Sequence, residues 1–219
     1  MKKLRCPSPF MGEKSKKKRA DKIHAKLKDL YPEAQCALEF GGDPWRLLVM
    51  ARLSAQCTDK RVNEVSRPLF EKYPDVEAFA SSRLEELEEA VRPCGLYRTK
   101  AKSIRDTARI LTEHFGGEVP QDKETLLSLP GVGEKIANLM LGDVFGDPHI
   151  VADTHCIRLA GRLGLTRETD PSKVTRALEK IIPKKEQSDF CHRIILLGRE
   201  YCRAQNPSCE NCPMKNLAE

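Results

Sequence analysis

Apolar residues recur at helical spacing along almost the whole chain, and no convincing run alternates β-branched with polar residues, so the pattern predicts an all-α fold. Helices are expected over 17–30, 44–55, 59–72, 76–81, 84–91, 99–114, 123–129, 134–145, 154–163, 171–182 and 188–201. The breaks between them carry proline and glycine where a helix must stop or start: Tyr31-Pro32, Gly41-Gly42-Asp43-Pro44, Tyr73-Pro74, Arg92-Pro93, Gly116-Gly117, Gly146-Asp147-Pro148 and Ile182-Pro183. No internal repeat is visible.

The most informative break is Leu129-Pro130-Gly131-Val132-Gly133, followed at once by Glu134-Lys135-Ile136-Ala137-Asn138. Pro130 ends one helix, and Gly131 and Gly133 permit backbone angles that other residues resist. The following helix carries Ile136, Ala137, Leu139, Met140, Leu141, Val144 and Phe145, so it is apolar on most sides and expected to be buried. A glycine turn opening a buried helix presents amide N–H groups that suit a phosphate, although the same pattern also serves as a plain helix-helix turn. Lys135 and Asn138, spaced i, i+3, are expected on one face.

Charge changes the picture at one end only. Residues 1–19 hold eight basic residues against the single acid Glu13, so they carry +7 of the chain's formal +6 and the remainder carries −1. Nucleic-acid affinity would therefore come from local patches and from this segment, which is expected to be a disordered basic tail. The segment has no apolar signal-peptide core, and no stretch approaches the ~20 apolar residues of a membrane span. A soluble cytoplasmic monomer is expected, nucleoid-associated if the source is bacterial. Six of the nine cysteines are scattered among apolar neighbours, as in a reducing compartment. Cys202, Cys209 and Cys212 instead crowd the C-terminus at the spacing of a metal or cluster site.

The glycine turn falls in order with Leu53-Ser54-Ala55-Gln56 and Thr58-Asp59, Gly95-Leu96-Tyr97 with Lys100-Ala101, Val151-Ala152-Asp153-Thr154-His155, and the cysteine segment. Together these resemble endonuclease III, in the helix-hairpin-helix DNA glycosylase family. The resemblance implies two helical domains with the active cleft between them: a six-helix barrel over 38–147 carrying the hairpin, and a second domain of 20–37 with 148–219. It implies a base-excision enzyme that acts on double-stranded DNA containing a damaged base or abasic site. Such an enzyme removes oxidised pyrimidines and then cleaves the strand as an abasic-site lyase. The alternative outside this class is a non-catalytic hairpin module that binds DNA structure.

In this resemblance Lys135 is the nucleophile and Asp153 the catalytic carboxylate. An amine attacking deoxyribose C1′ leaves a Schiff base whose C2′ proton is acidified for β-elimination. A free lysine is neutral only about one part in a thousand near pH 7, and burial at a helix N-terminus would raise that fraction. Asp153 would stabilise the cationic sugar; alone it also reads as a helix N-cap, and Lys135 as a phosphate-binding lysine. Gln56 and Leu96 match residues that enter the duplex beside the flipped nucleotide, although each alone reads as a helix cap or turn packing. Gly131, Val132 and Gly133 match the DNA-binding hairpin, and His155 matches a position near the DNA backbone. The family binds a 4Fe-4S iron-sulfur cluster through four cysteines; Cys202, Cys209 and Cys212 match three, but Ala218 stands where the fourth belongs. A cluster on three thiolates with an outside ligand, zinc in its place, or no metal are all open.

Overall fold

The computed structural model describes residues 13–217, and among them it is helical without a strand. Residues 1–12, with most of the expected basic tail, and Ala218 lie outside the described residues. No helix among the described residues is long and apolar enough to cross a membrane. Eleven α-helices are present there: α1 Glu13–Leu30, α2 Pro44–Leu53, α3 Asp59–Lys72, α4 Val76–Ser81, α5 Leu84–Val91, α6 Tyr97–Phe115, α7 Lys123–Ser128, α8 Glu134–Asp143, α9 Thr154–Arg162, α10 Pro171–Glu179 and α11 Gln187–Glu200. They start where short polar side chains can cap them. Asp43, Thr58, Asp75, Asp122, Asp153 and Asp170 each accept a hydrogen bond from a first-turn amide.

One sequence expectation fails at the N-terminus. Helix α1 begins at Glu13 rather than near Lys17, so residues 13–19 are helical and not tail. Arg19 is 7% exposed and is followed by the fully buried Ala20, and with Ile23 and Leu27 these define a face that the run of lysines conceals in sequence.

The chain forms two compact units, Cys36–Gly146 and a second made of residues 1–35 with 147–219. The first contains α2 to α8, seven helices among the described residues where the resemblance implied six. Its central element is α2, in which every residue from Leu47 to Ala51 is buried, so the helix has no solvent face over that stretch. Trp45 on α2 meets the ring of Phe79 edge-on with centroids 5.3 Å apart, and Tyr73 and Phe70 close around the same ring at 5.2 and 6.1 Å. Helix α6 packs on α4 and α5, and α8 on α2 and α7.

In the second unit α11 packs against α1 and α9 through Phe190, Cys191, Ile194 and Leu197. The buried guanidinium of Arg193 is met by Glu186 at 3.3 Å, Asp189 at 2.9 Å and the Tyr31 carbonyl at 3.3 Å. Glu186 also receives Lys28 at 3.1 Å and His24 at 3.4 Å, so one carboxylate gathers α1 and α11. A buried charge that lost these partners would be strongly destabilising.

Candidate functional site

In the first unit the hairpin is α7, the turn Leu129–Gly133, and α8. Asp122 caps α7 through the Thr125 amide at 2.8 Å, and the Val132 amide closes the turn on the Leu129 carbonyl at 3.1 Å. Gly131 has φ +78°, and a Cβ there would run into Arg52 Nε and sit 3.1 Å from Ser103 Cβ. Glycine is thus required twice, for the backbone angle and for the close approach. Beneath the turn Arg52 Nε donates to Ser103 Oγ at 2.9 Å, and Thr107 Oγ1 donates to the Pro130 carbonyl at 3.2 Å. Burial lowers the Arg52 pKa. Val132 is buried, whereas Gly131 and Gly133 face solvent. Helix α8 opens at Gly133 without a capping side chain. First-turn amides left without such a cap are suited to a phosphate oxygen.

Lys135 is exposed, contrary to the expected burial, while Asn138, expected on its face, is buried. The helix explains both. At 100° per residue Ala137, Met140 and Leu141 centre on the side opposite Lys135, with Asn138 at the edge of that buried side. The free protein therefore does not bury the amine.

Gln56 and Leu96 stand on two other loops of the same unit. Both are exposed, and both hold left-handed backbone angles, φ 54° and 49°. Asn206 is the other non-glycine residue of positive φ among the described residues. A left-handed residue with a Cβ costs on the order of 1–2 kcal/mol, and Leu96 combines that cost with 53% exposure of an apolar side chain. Leu96 is therefore not turn packing. Gln56 is not the cap of α2 either, since Ser54 holds that place and donates its amide to the Met50 carbonyl.

The second unit carries the other candidates. Asp153 precedes α9 and accepts from the Cys156 amide at 2.7 Å, which anchors one carboxylate oxygen. His155 is half-buried, lies against Gly198 of α11, and meets Arg158 at 3.1 Å. Arg158 and Arg162, one and two turns further on, reach the cysteine segment. Arg158 Nε donates to the Cys202 carbonyl at 3.2 Å. Arg162 donates to the carbonyls of Arg203 at 2.7 Å and Ala204 at 3.2 Å, and to Cys202 Sγ at 3.4 Å. Burial pulls the Arg158 pKa down. The sequence reading missed both arginines, although their i, i+4 spacing on the helix that Asp153 opens was visible.

Cys202 is buried, and Cys209 and Cys212 are half-buried. Burial raises the Cys212 thiol pKa, and Cys202 and Cys209 raise it further. Yet no group of three or more His, Cys, Asp or Glu among the described residues is placed to hold a metal ion. Alanine at 218 offers no donor atom, so the residues present do not fit a cluster held by four protein thiolates.

The family model for HhH-GPD superfamily base excision DNA repair proteins matches residues 49–184, which includes the hairpin and Asp153. Endonuclease III of Synechocystis sp. is 47% identical over 204 residues, 93% of each chain. Two solved structures, a non-covalent endonuclease III–DNA complex and a trapped endonuclease III–DNA covalent intermediate, are 42% identical. Each superposes with a TM-score of 0.88 over 92% of this chain and 94% of theirs. The chain belongs to the HhH-GPD superfamily of base excision DNA repair proteins and, within it, to the endonuclease III family.

Proposed function

We propose that this chain is a bifunctional DNA glycosylase and abasic-site lyase that removes oxidised pyrimidines from duplex DNA, with Lys135 as nucleophile and Asp153 as the catalytic carboxylate. The observation that carries the assignment is Lys135 itself: an exposed amine in the first turn of α8, next to the glycine turn whose amides suit a backbone phosphate. A nucleophile for a deoxyribose carbon belongs beside a phosphate-binding turn. A 42%-identical relative trapped covalently on DNA supports a covalent route and speaks against the binding-only alternative.

The Nζ lone pair attacks C1′, and the bond from C1′ to the base breaks with its electron pair leaving on the base, which takes up a proton. Loss of a proton from the amine and opening of the sugar ring give a protonated imine. Removal of the C2′ proton then expels the 3′ phosphate, and water releases Lys135. Asp153, fixed by its bond to the Cys156 amide, offers negative charge to the sugar as the base departs. Gln56 and Leu96 occupy the space left in the duplex, and Gly131, Val132, Gly133 and His155 hold the DNA backbone. The three cysteines lie outside this chemistry and no step passes through a cluster.

Borohydride added during reaction with an abasic duplex should lock protein to DNA, and Lys135→Ala should abolish both the trapped species and strand cleavage. Asp153→Asn is informative because asparagine caps a helix about as well as aspartate, so α9 stays formed while the charge is lost. Base excision should fall about 10²–10³-fold, with some lyase action on a preformed abasic site surviving. Trapping undiminished in Lys135→Ala would place the nucleophile elsewhere.

A further inference from the structure

Two strained loops carry Gln56 and Leu96, and a wedge works only if they keep fixed positions relative to one another while a duplex is forced apart. Neither loop supplies that fixation. It comes from Lys100, in the first turn of α6, which has no exposed surface. Its Nζ donates to the carbonyl of Leu53 at 2.8 Å and to that of Cys94 at 2.8 Å. Leu53 is the last residue of α2, three before Gln56; Cys94 ends the short 3-10 turn Arg92–Cys94, two before Leu96. Both carbonyls close a helical segment, where no following amide is available and where a cation is favoured by the segment's dipole. The Lys100 amide also donates to the Leu96 carbonyl at 3.0 Å, so the Leu96 turn is gripped on both sides.

Full burial of an ammonium is among the costliest placements in a protein interior. Methionine or leucine would fill the same space without that cost but could not bond two carbonyls. The burial lowers the lysine's pKa, and the Cys94 and Cys57 thiols on the same two loops pull it partly back.

We propose that Lys100 is a positioning residue for base excision: its buried ammonium ties the Gln56 loop to the Leu96 loop, so that the two side chains enter the duplex as one rigid wedge. This rests on the reading that Gln56 and Leu96 enter the duplex. The test compares single-turnover excision of one oxidised pyrimidine in a fully paired duplex with the same lesion in a small unpaired bubble, where the base is already unstacked and a wedge has little to do. Lys100→Met should lower the ratio of paired to bubble rate about tenfold, as should Leu96→Ala. The double variant should be no worse than the poorer single one, because both changes disable one device. A lysine that merely supports the fold would lower both rates together and leave the ratio unchanged, and that result overturns the proposal. If Lys100→Met does not unfold cooperatively, Lys100→Gln, whose amide can still reach one carbonyl, is read in the same way. Leu96→Ala and Gln56→Ala separate the two possible failures. An unchanged ratio in both removes duplex entry itself, while a lowered ratio in them with none in the Lys100 variants removes only the tie.

Discussion

Replacing Gly131 with alanine tests how the hairpin turn is built. The new Cβ would run into Arg52 Nε, so Arg52 must leave its hydrogen bond to Ser103 Oγ. Loss of a hydrogen bond made by a charged group costs about 1.5–3 kcal/mol. Holding alanine at φ +78° adds about 1–2 kcal/mol, part of which is offset because alanine loses less unfolded-chain entropy than glycine. A net destabilisation of about 2–4 kcal/mol is expected. The readout is the fluorescence of Trp45 in urea: it is the chain's single tryptophan, 5% exposed and packed on Phe79 in the same unit. The decisive comparison is with an Arg52→Ala background, where the Arg52 clash and the lost bond vanish and the backbone cost of about 1–2 kcal/mol remains together with the tight approach to Ser103 Cβ. Gly131→Ala within about 0.5 kcal/mol of the parent, or equally costly in both backgrounds, would refute this account of the turn.

Two further predictions concern the second unit. Burial holds the His24 pKa below 6.5, and Lys28 above all, with Arg193, holds Glu186 below 4.5. In both cases the unfolded chain takes up the proton first on acidification, so the melting temperature should fall as pH drops below 6.5 and fall further below 4.5, and His24→Gln should flatten the upper step. A melting temperature that stays flat from neutrality to about pH 5 would remove His24 from this role. Ala218→Cys, which supplies the missing fourth thiolate, should retain more iron and sulfide than the parent when both are purified without oxygen, measured by iron assay and visible absorbance; equal amounts, or no iron in either, would leave position 218 without influence.

The helices were legible because their starts are marked by residues that cap by a local rule, as at Asp43-Pro44, Asp122 and Asp153, and their ends by glycine and proline. The start of α1 was not, because a run of lysines shows no apolar period until Ala20 is seen to be buried. Motif spacing singled out Lys135 and Asp153 as candidates, but the exposure of Lys135 was not readable. Apolar residues on most of α8 suggested burial all round, whereas the packed side is set by α2 and α7, which come from elsewhere in the chain. The left-handed angles at Gln56 and Leu96 had no local signal at all. Neither residue favours that region, and the bond from Lys100 to the Leu53 carbonyl joins segments 47 residues apart, beyond the reach of any local pattern.

That lysine also links the wedge loops to the hairpin. Ser103 Oγ donates to the Lys100 carbonyl at 3.0 Å and accepts from Arg52 Nε, and Arg52 lies directly under Gly131. The three exposed features for which a DNA role is proposed in this unit thus rest on one internal chain of hydrogen bonds whose two cations are turned inward. Long basic residues can bond several carbonyls at once from below, so the Leu53 and Cys94 carbonyls need no partner from the outer surface. The outer surface there presents backbone amides, glycine Cα atoms, the two left-handed side chains and the Lys135 amine. Residues 36–146, the unit that carries these features, sum to −3, so attraction for a polyanion there must be local. Cations placed just beneath the loops supply it there, where low dielectric weakens their screening by salt.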